Sequence, residues 1–453
     1  MTNAKNNIDM LNGSLWGKIL KFSLVFMLTA FLQHLYGEAD VIIVGRYAGQ
    51  TALAGVGTCS HIVKLFLNFI LGFSAGTVVV LGHAIGSGNT EQITKSAHTA
   101  MATAVCGGLV VTFVCFVFAI PLLKLMDVPD DVMPEALKYL RIVSLGFVPS
   151  LVYNFGAGIL RAKGDTKRAL YIVTASGIFN IVLNLMCVCV FSMGAAGVAV
   201  ATVISQIYTA VAILYILCRE QDETRIMLSK IRFYKHPFFK LVRYGVPSGI
   251  QSSVYSISNI LVQSSVNGFG AAAIAGNSAA ASITSFYGLM GGSLYQSSVV
   301  FTSQNFGAKK IDRIKKIAVV CFAYVAVFAA IQVSVTYFFG RNLIALYMPN
   351  DPMGQDFGCR KLFINGYYYW TLAISEVING LLRGMGASVL SMVTAIAGTC
   401  GVRILWVLTA FKVIGTYESL IWCYPLSWMV TSIFALFVYV VIYKRNKKEL
   451  GIM

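Results

Sequence analysis

Three acidic residues stand inside otherwise apolar stretches: Glu38, Asp40 and Glu376. A carboxylate in hydrocarbon is costly unless it holds a proton, pairs with a cation or faces water, so each marks a place where an ion can be handled. Glu38 and Asp40 are two residues apart, which on a helix turns their side chains roughly 200° from one another. One site cannot use both from one face. Asp40 shares its face with Gln33 and Tyr36, while Glu38 reads as a second carboxylate site or a solvated group at the helix end. Asn180 and Asn184, four residues apart, share one helical face. Their amide oxygens are hard, neutral ligands for sodium and partners for a protonatable carboxyl. Glu376 has two readings: a second proton or substrate site, or an ion pair with Arg403. Tyr369, Asn379 and Arg383 share its face. The segment around Gln251 and Tyr255 is rich in Ser and Gln and fits either a wet cavity or helix packing through hydroxyls.

Catalytic patterns are scarce. Gly72-Phe-Ser-Ala-Gly76 matches the spacing of a nucleophile elbow, but that motif needs a strand-to-helix turn, and here it lies in an apolar helical segment. Small residues there read as close helix packing. The histidines show no HExxH spacing and no CxxC pair exists, so no catalytic residue and no metal other than sodium is expected.

The elements that must position these groups are membrane spans. The chain has 453 residues, 57% of them apolar and 12% charged, against roughly 25% charged in soluble domains. Ala169–Cys218 runs 50 residues and Tyr244–Ala308 runs 65 without one Asp, Glu, Lys or Arg. Each is long enough for two spans of about 20 residues. Apolar stretches and their breaks predict twelve helices, near 18–44, 54–83, 96–121, 136–160, 169–192, 197–218, 241–266, 273–303, 317–340, 360–382, 387–411 and 419–443. A lipid-exposed backbone must satisfy its own hydrogen bonds, so an all-α polytopic membrane protein is expected. The net charge of +17 then reflects cytoplasmic loops and anionic headgroups rather than nucleic acid. Phe22–Leu32 follows two lysines like a signal peptide, but apolar sequence resumes at once, and it reads as the retained first helix.

The chain also repeats itself. Lys18–Phe22 matches Lys240–Tyr244, Ala52–Gly55 matches Ala273–Gly276, and Gly158–Arg161 matches Gly380–Arg383, at offsets of 221–222. Six helices per repeat is an even number, so both halves enter the membrane in the same sense, as parallel pseudo-symmetric lobes. The expected division is an N-terminal lobe at 1–218, a linker at 219–243 and a C-terminal lobe at 244–453. With a cytoplasmic N-terminus, 25 of the 35 basic residues fall on inside segments, which puts both termini in the cytoplasm; the expected location is the plasma (inner) membrane.

Tyr36–Arg46, Ala52–Gly57, Gly158–Asp165, Asn180–Asn184, Gly194–Thr202 and Gly380–Gly386 together resemble the multidrug and toxic compound extrusion (MATE) family over essentially the whole chain. The resemblance implies a two-lobed secondary transporter that exports organic, often cationic, drugs or metabolites by antiport against protons or sodium ions. It implies Asp40 as the coupling-cation position, with Thr202 and Tyr139 at family positions near it. The sequence departs from the family pattern with Val25 at the repeat equivalent of Pro247, Tyr255 in place of a carboxylate, and Asn184 in place of another. The expected partners are small organic molecules and membrane lipids. No cofactor is expected beyond the coupling ion, and the chain is expected to work as a monomer. Two other readings are a flippase for a lipid-linked precursor, which would favour basic side chains in its cavity, and a membrane-embedded enzyme, which would need the catalytic motifs that are missing.

Overall fold

The computed structural model describes residues 7–47, 50–126, 128–130 and 132–449. Among the described residues every regular element is helical. The first six main helices are α1 (Trp16–Tyr47), α2 (Gln50–Gly86), α3 (Thr90–Val117), α4 in two segments (Met133–Ser144 and Phe147–Ala162), α5 (Lys167–Leu185) and α6 (Gly194–Cys218). The next six are α7 (Lys235–Asn267), α8 (Ala271–Gly307), α9 (Ile311–Tyr347), α10 (Pro352–Gly384), α11 (Ser388–Ala395 with Val402–Leu408) and α12 (Tyr417–Ile421 with Cys423–Glu449). Among the described residues eight of these are long and apolar enough to cross a membrane, and α4 makes nine when its segments, bent by 41°, count as one span. The other three, α7, α8 and α10, have the length (33, 37 and 33 residues) but carry polar side chains that line the interior. The fold is thus the expected twelve-helix, two-lobed membrane bundle.

Most helices overrun the apolar stretches that announce them. Helix α10 starts at Pro352, where Asp351 caps it by accepting a hydrogen bond from the Gly354 amide at 2.9 Å. Proline at the first position and Asp as cap suit a helix start, because the first turn has N–H donors without acceptors: proline carries no such donor, and the Asp oxygen accepts from one.

The described residues form two compact units, residues 7–8 with 28–249 and residues 9–27 with 250–449. In the first, glycines let helices touch through their backbones. A Cβ on Gly72 would lie 2.5 Å from the Ser248 carbonyl oxygen, and one on Gly76 would lie 2.8 Å from the Gly245 Cα. The G-x-S-x-G stretch is therefore a packing surface between α2 and the start of α7. The segment after α6 is fixed to this unit: His98 Nε2 accepts from the Met227 amide at 3.1 Å and Thr99 Oγ1 from the Tyr234 amide at 3.2 Å. Lys163 and Arg168 pair with Asp165, Glu220 and Asp222 beside it.

Outward faces are apolar. Leu109, Val110, Phe113 and Val117 on α3, and Ile433, Phe437 and Val441 on α12, follow helical spacing and are exposed. Apolar surface of that extent is stable against lipid rather than water.

Candidate functional site

In the first unit α1 and α5 pack together at Gly177, whose missing side chain leaves room for the ring of Tyr36. The Tyr36 hydroxyl donates to the Thr174 carbonyl at 3.4 Å. One turn along α1, Asp40 Oδ1 accepts from Asn184 Nδ2 at 2.5 Å. The same amide group lies 3.2 Å from Asn180 Oδ1. Asn180 and Asn184 are both buried, and Asn184 Oδ1 has no hydrogen-bond partner among the described residues. Tyr139, buried on the first segment of α4, is within electrostatic reach of Asp40. A π-helical turn, Met186–Val190, begins two residues after Asn184. Such turns interrupt the regular hydrogen-bond ladder and re-aim side chains, and they cluster at sites of function.

Thr202 Oγ1 donates to the Val198 carbonyl of its own helix at 2.9 Å, so its proton is spent within α6. Glu38 is exposed and sits 3.6 Å from His34 Nδ1, one turn back on α1. Gln33 is exposed as well.

The second unit holds a cavity of about 380 Å³ between α7, α8, α10, α11 and α12. Tyr255, Tyr369 and Glu376 line it. Gln251 does not: its amide oxygen accepts from Arg383 Nη2 at 2.6 Å, and Arg383 also bonds Tyr295 and Ser391. Among the described residues no ion pair joins Glu376 to Arg403. Arg403 bonds Asn259 Oδ1 at 2.8 Å and Ser427 Oγ at 3.1 Å instead.

Lys361 is the charged cavity residue that escaped the sequence reading. Lys361 is buried, with Nζ donating to Asn277 Oδ1 at 2.8 Å and to the Asn277 carbonyl at 3.1 Å. The apolar stretch begins near residue 360, which places Lys361 at a membrane surface. The helix begins at Pro352, which carries Lys361 more than two turns inside it. The Asp351-Pro352 cap was the available signal.

Comparison with known proteins agrees with this architecture. The MatE family pattern matches residues 26–186 and again 247–408, two stretches whose starts and ends are 221 and 222 residues apart. From Bacillus subtilis, the "Probable multidrug resistance protein YoeA" is 24% identical over 446 residues, covering 96% of this chain and 95% of that protein. The "Probable multidrug resistance protein NorM" of Streptococcus pneumoniae is 23% identical over 395 residues, covering 85% of this chain and 86% of that one. Among solved structures, the outward-facing conformation of a multidrug resistance MATE family transporter of the MOP superfamily superimposes with a TM-score of 0.87 at 20% identity, covering 97% of this chain and 98% of that chain. A MATE protein in complex with MaL6 gives a TM-score of 0.89 at 20% identity, with 97% and 98% covered. These relatives are transporters rather than enzymes, and with both halves matched the chain belongs to the MatE family of multidrug efflux transporters.

Proposed function

We propose that the protein is an antiporter that exports organic, often cationic, small molecules across the plasma membrane while a proton or a sodium ion enters. The observation that carries this reading is Asp40 with Asn184 and Asn180. One carboxylate beside two neutral amide oxygens, one of them unpartnered among the described residues, suits a single small monovalent cation. A lone ionised carboxylate in the bilayer is costly, so ion arrival removes that cost. Export follows if the ion and the organic molecule favour different states of the same alternating-access cycle, because a ligand shifts an equilibrium only by its differential affinity. The site is assembled within one unit of one chain, which supports function as a monomer.

The linker Arg219–Arg243 and both termini face the cytoplasm on this reading, supported by the 25 basic residues on these and the other inside segments. Cysteine labelling that found positions 230 and 447 on opposite sides would refute the orientation. The coupling is tested in proteoliposomes loaded with ethidium and given either a pH gradient or a sodium gradient alone. Ethidium movement driven by one gradient identifies the ion; movement indifferent to both gradients rejects antiport.

A further inference from the structure

The cavity of the second unit contains two buried cations that no protein carboxylate neutralises. Lys361 and Arg403 are each about 95% buried, at 4% and 5% exposure. Among the described residues neither forms an ion pair. Both gather on the ring of Tyr424, with Arg403 Cζ 4.5 Å and Lys361 Nζ 5.7 Å from its centroid. The two distances together, 10.2 Å, bound their separation. Lys361 uses two of its three donors on Asn277, and Arg403 Nη2 has no acceptor among the described residues. Like charges held this close inside a membrane protein are mutually repulsive, and a compact anion between them is the group that relieves both.

Glu376 does not serve as that anion. It lies fifteen residues along α10 from Lys361, about 22 Å at 1.5 Å per residue, and so marks the other end of the cavity. Between the ends the wall is aromatic: Tyr369 faces Trp428 at 5.3 Å between ring centroids, with Tyr255 also on the lining. A charged pair with spare donors beside an apolar wall is the usual form of a site for a small organic molecule, the charge fixing orientation and the rings supplying contact.

The repeat adds an independent point. Lys361 stands 222 residues after Tyr139, which flanks Asp40, and α11 with Arg403 repeats α5 with Asn180 and Asn184. The equivalent place in the second repeat therefore has the opposite polarity.

We propose that this cavity binds a small organic anion, its charged group held by Lys361 Nζ and Arg403 Nη2 and its body against Tyr369 and Trp428. The proposal goes beyond the export reading, since it assigns an anion site rather than the cationic cargo, and the binding it predicts is measured without transport. An ion-coupling experiment on Asp40 can therefore fail while this site stands, and the reverse.

The test is saturation-transfer NMR on the purified full chain in detergent with three ligands of one shape: benzoate, benzamide and benzylammonium. Benzoate is expected to bind about tenfold more tightly than the other two. Lys361→Gln should remove that preference, and Lys361→Arg, which keeps the charge, should retain it. Arg403→Gln should act like Lys361→Gln; because Arg403 also braces Asn259 and Ser427, the Lys361 pair decides the matter if that variant does not fold. Preference for benzylammonium, absence of benzoate binding to the unaltered protein, or a preference for benzoate that survives Lys361→Gln would overturn the proposal.

Discussion

Asp40→Asn separates the fold from the coupling. The substituted amide keeps an oxygen where Asn184 Nδ2 now donates to Asp40 Oδ1, so the α1–α5 contact has the same shape. A hydrogen bond to a charged acceptor contributes about 1.5–3 kcal/mol and a neutral one about 0.5–1.5 kcal/mol, so the exchange costs roughly 1 kcal/mol. Set against it is the removed cost of keeping a charge in hydrocarbon. The variant should insert, fold and bind ethidium as the unaltered protein does. What it loses is the group whose charge an ion can cancel. A gradient of one pH unit, or its tenfold sodium equivalent, stores about 1.4 kcal/mol per ion, which drives at most about tenfold accumulation when one ion exchanges for one molecule. The unaltered protein in proteoliposomes should approach that ceiling, and Asp40→Asn should stop at equal concentrations on both sides. Gradient-driven accumulation by the purified variant near the unaltered level would refute the reasoning and move the coupling site elsewhere.

Glu376→Gln should keep its response to the imposed ion gradient, because Glu376 lines the second unit's cavity while the Asp40 cluster is built within the first unit; the same flux assay checks it, and loss of the response there would place coupling at Glu376. Gly72→Ala puts a Cβ 2.5 Å from the Ser248 carbonyl oxygen, where backbone must shift, and should cost about 1–3 kcal/mol. Gly292→Ala meets no atom within 4 Å and should be neutral or stabilising by up to about 1 kcal/mol; thermal unfolding of the two variants side by side tests the contrast. Asp222, beside α6, is pushed up by burial, but hydrogen bonds from Lys163 and Thr224 outweigh this and hold its carboxyl below the usual 3.8. Its folded value is the lower one, so its stabilisation is full above the unfolded value and fades as pH falls through 3.8 toward the folded value. Unfolding curves taken across that acid range should show the loss in the unaltered protein and a smaller one in Lys163→Gln.

The helices and the repeat were legible because lipid imposes them: long uncharged runs, breaks, and a near-constant offset are all written in one dimension. The Asn180–Asn184 face was legible for the same reason, being a local helical spacing. Which helix meets Asp40 was not, since that contact depends on Gly177 admitting Tyr36. An ion pair with Arg403 is one of the two readings the sequence offers for Glu376, because both are conspicuous charges on neighbouring spans. The actual partners of Arg403, Asn259 and Ser427, are neutral and carry no charge signal. Lys361 was missed because hydropathy marks where a helix becomes apolar rather than where it begins.

The repeat itself explains why the two units keep one scaffold while their sites diverge. In the first unit a Cβ on Gly55 would lie 3.2 Å from the Ala136 amide nitrogen, and one on Gly158 would lie 3.3 Å from Thr77 Cβ, so α2 and α4 are held together at two points. In the second, Gly276 meets the Gly358 amide nitrogen in the same way at 2.6 Å, and Gly380 packs on Ser298. These pairs fall at the 221–222 offsets, and they include the glycines of the sequence landmarks Ala52–Gly55, Ala273–Gly276, Gly158–Arg161 and Gly380–Arg383. Landmarks that repeat are thus the contacts that set helix spacing, where an added methyl group would strike backbone or a packed side chain. Tyr139 and Lys361 each stand three residues past the first of these contacts, at Ala136 and Gly358. The scaffold aims that position inward in both units but leaves its chemistry free, so a phenol beside a carboxylate in one repeat can become an ammonium beside a guanidinium in the other without altering how the helices pack.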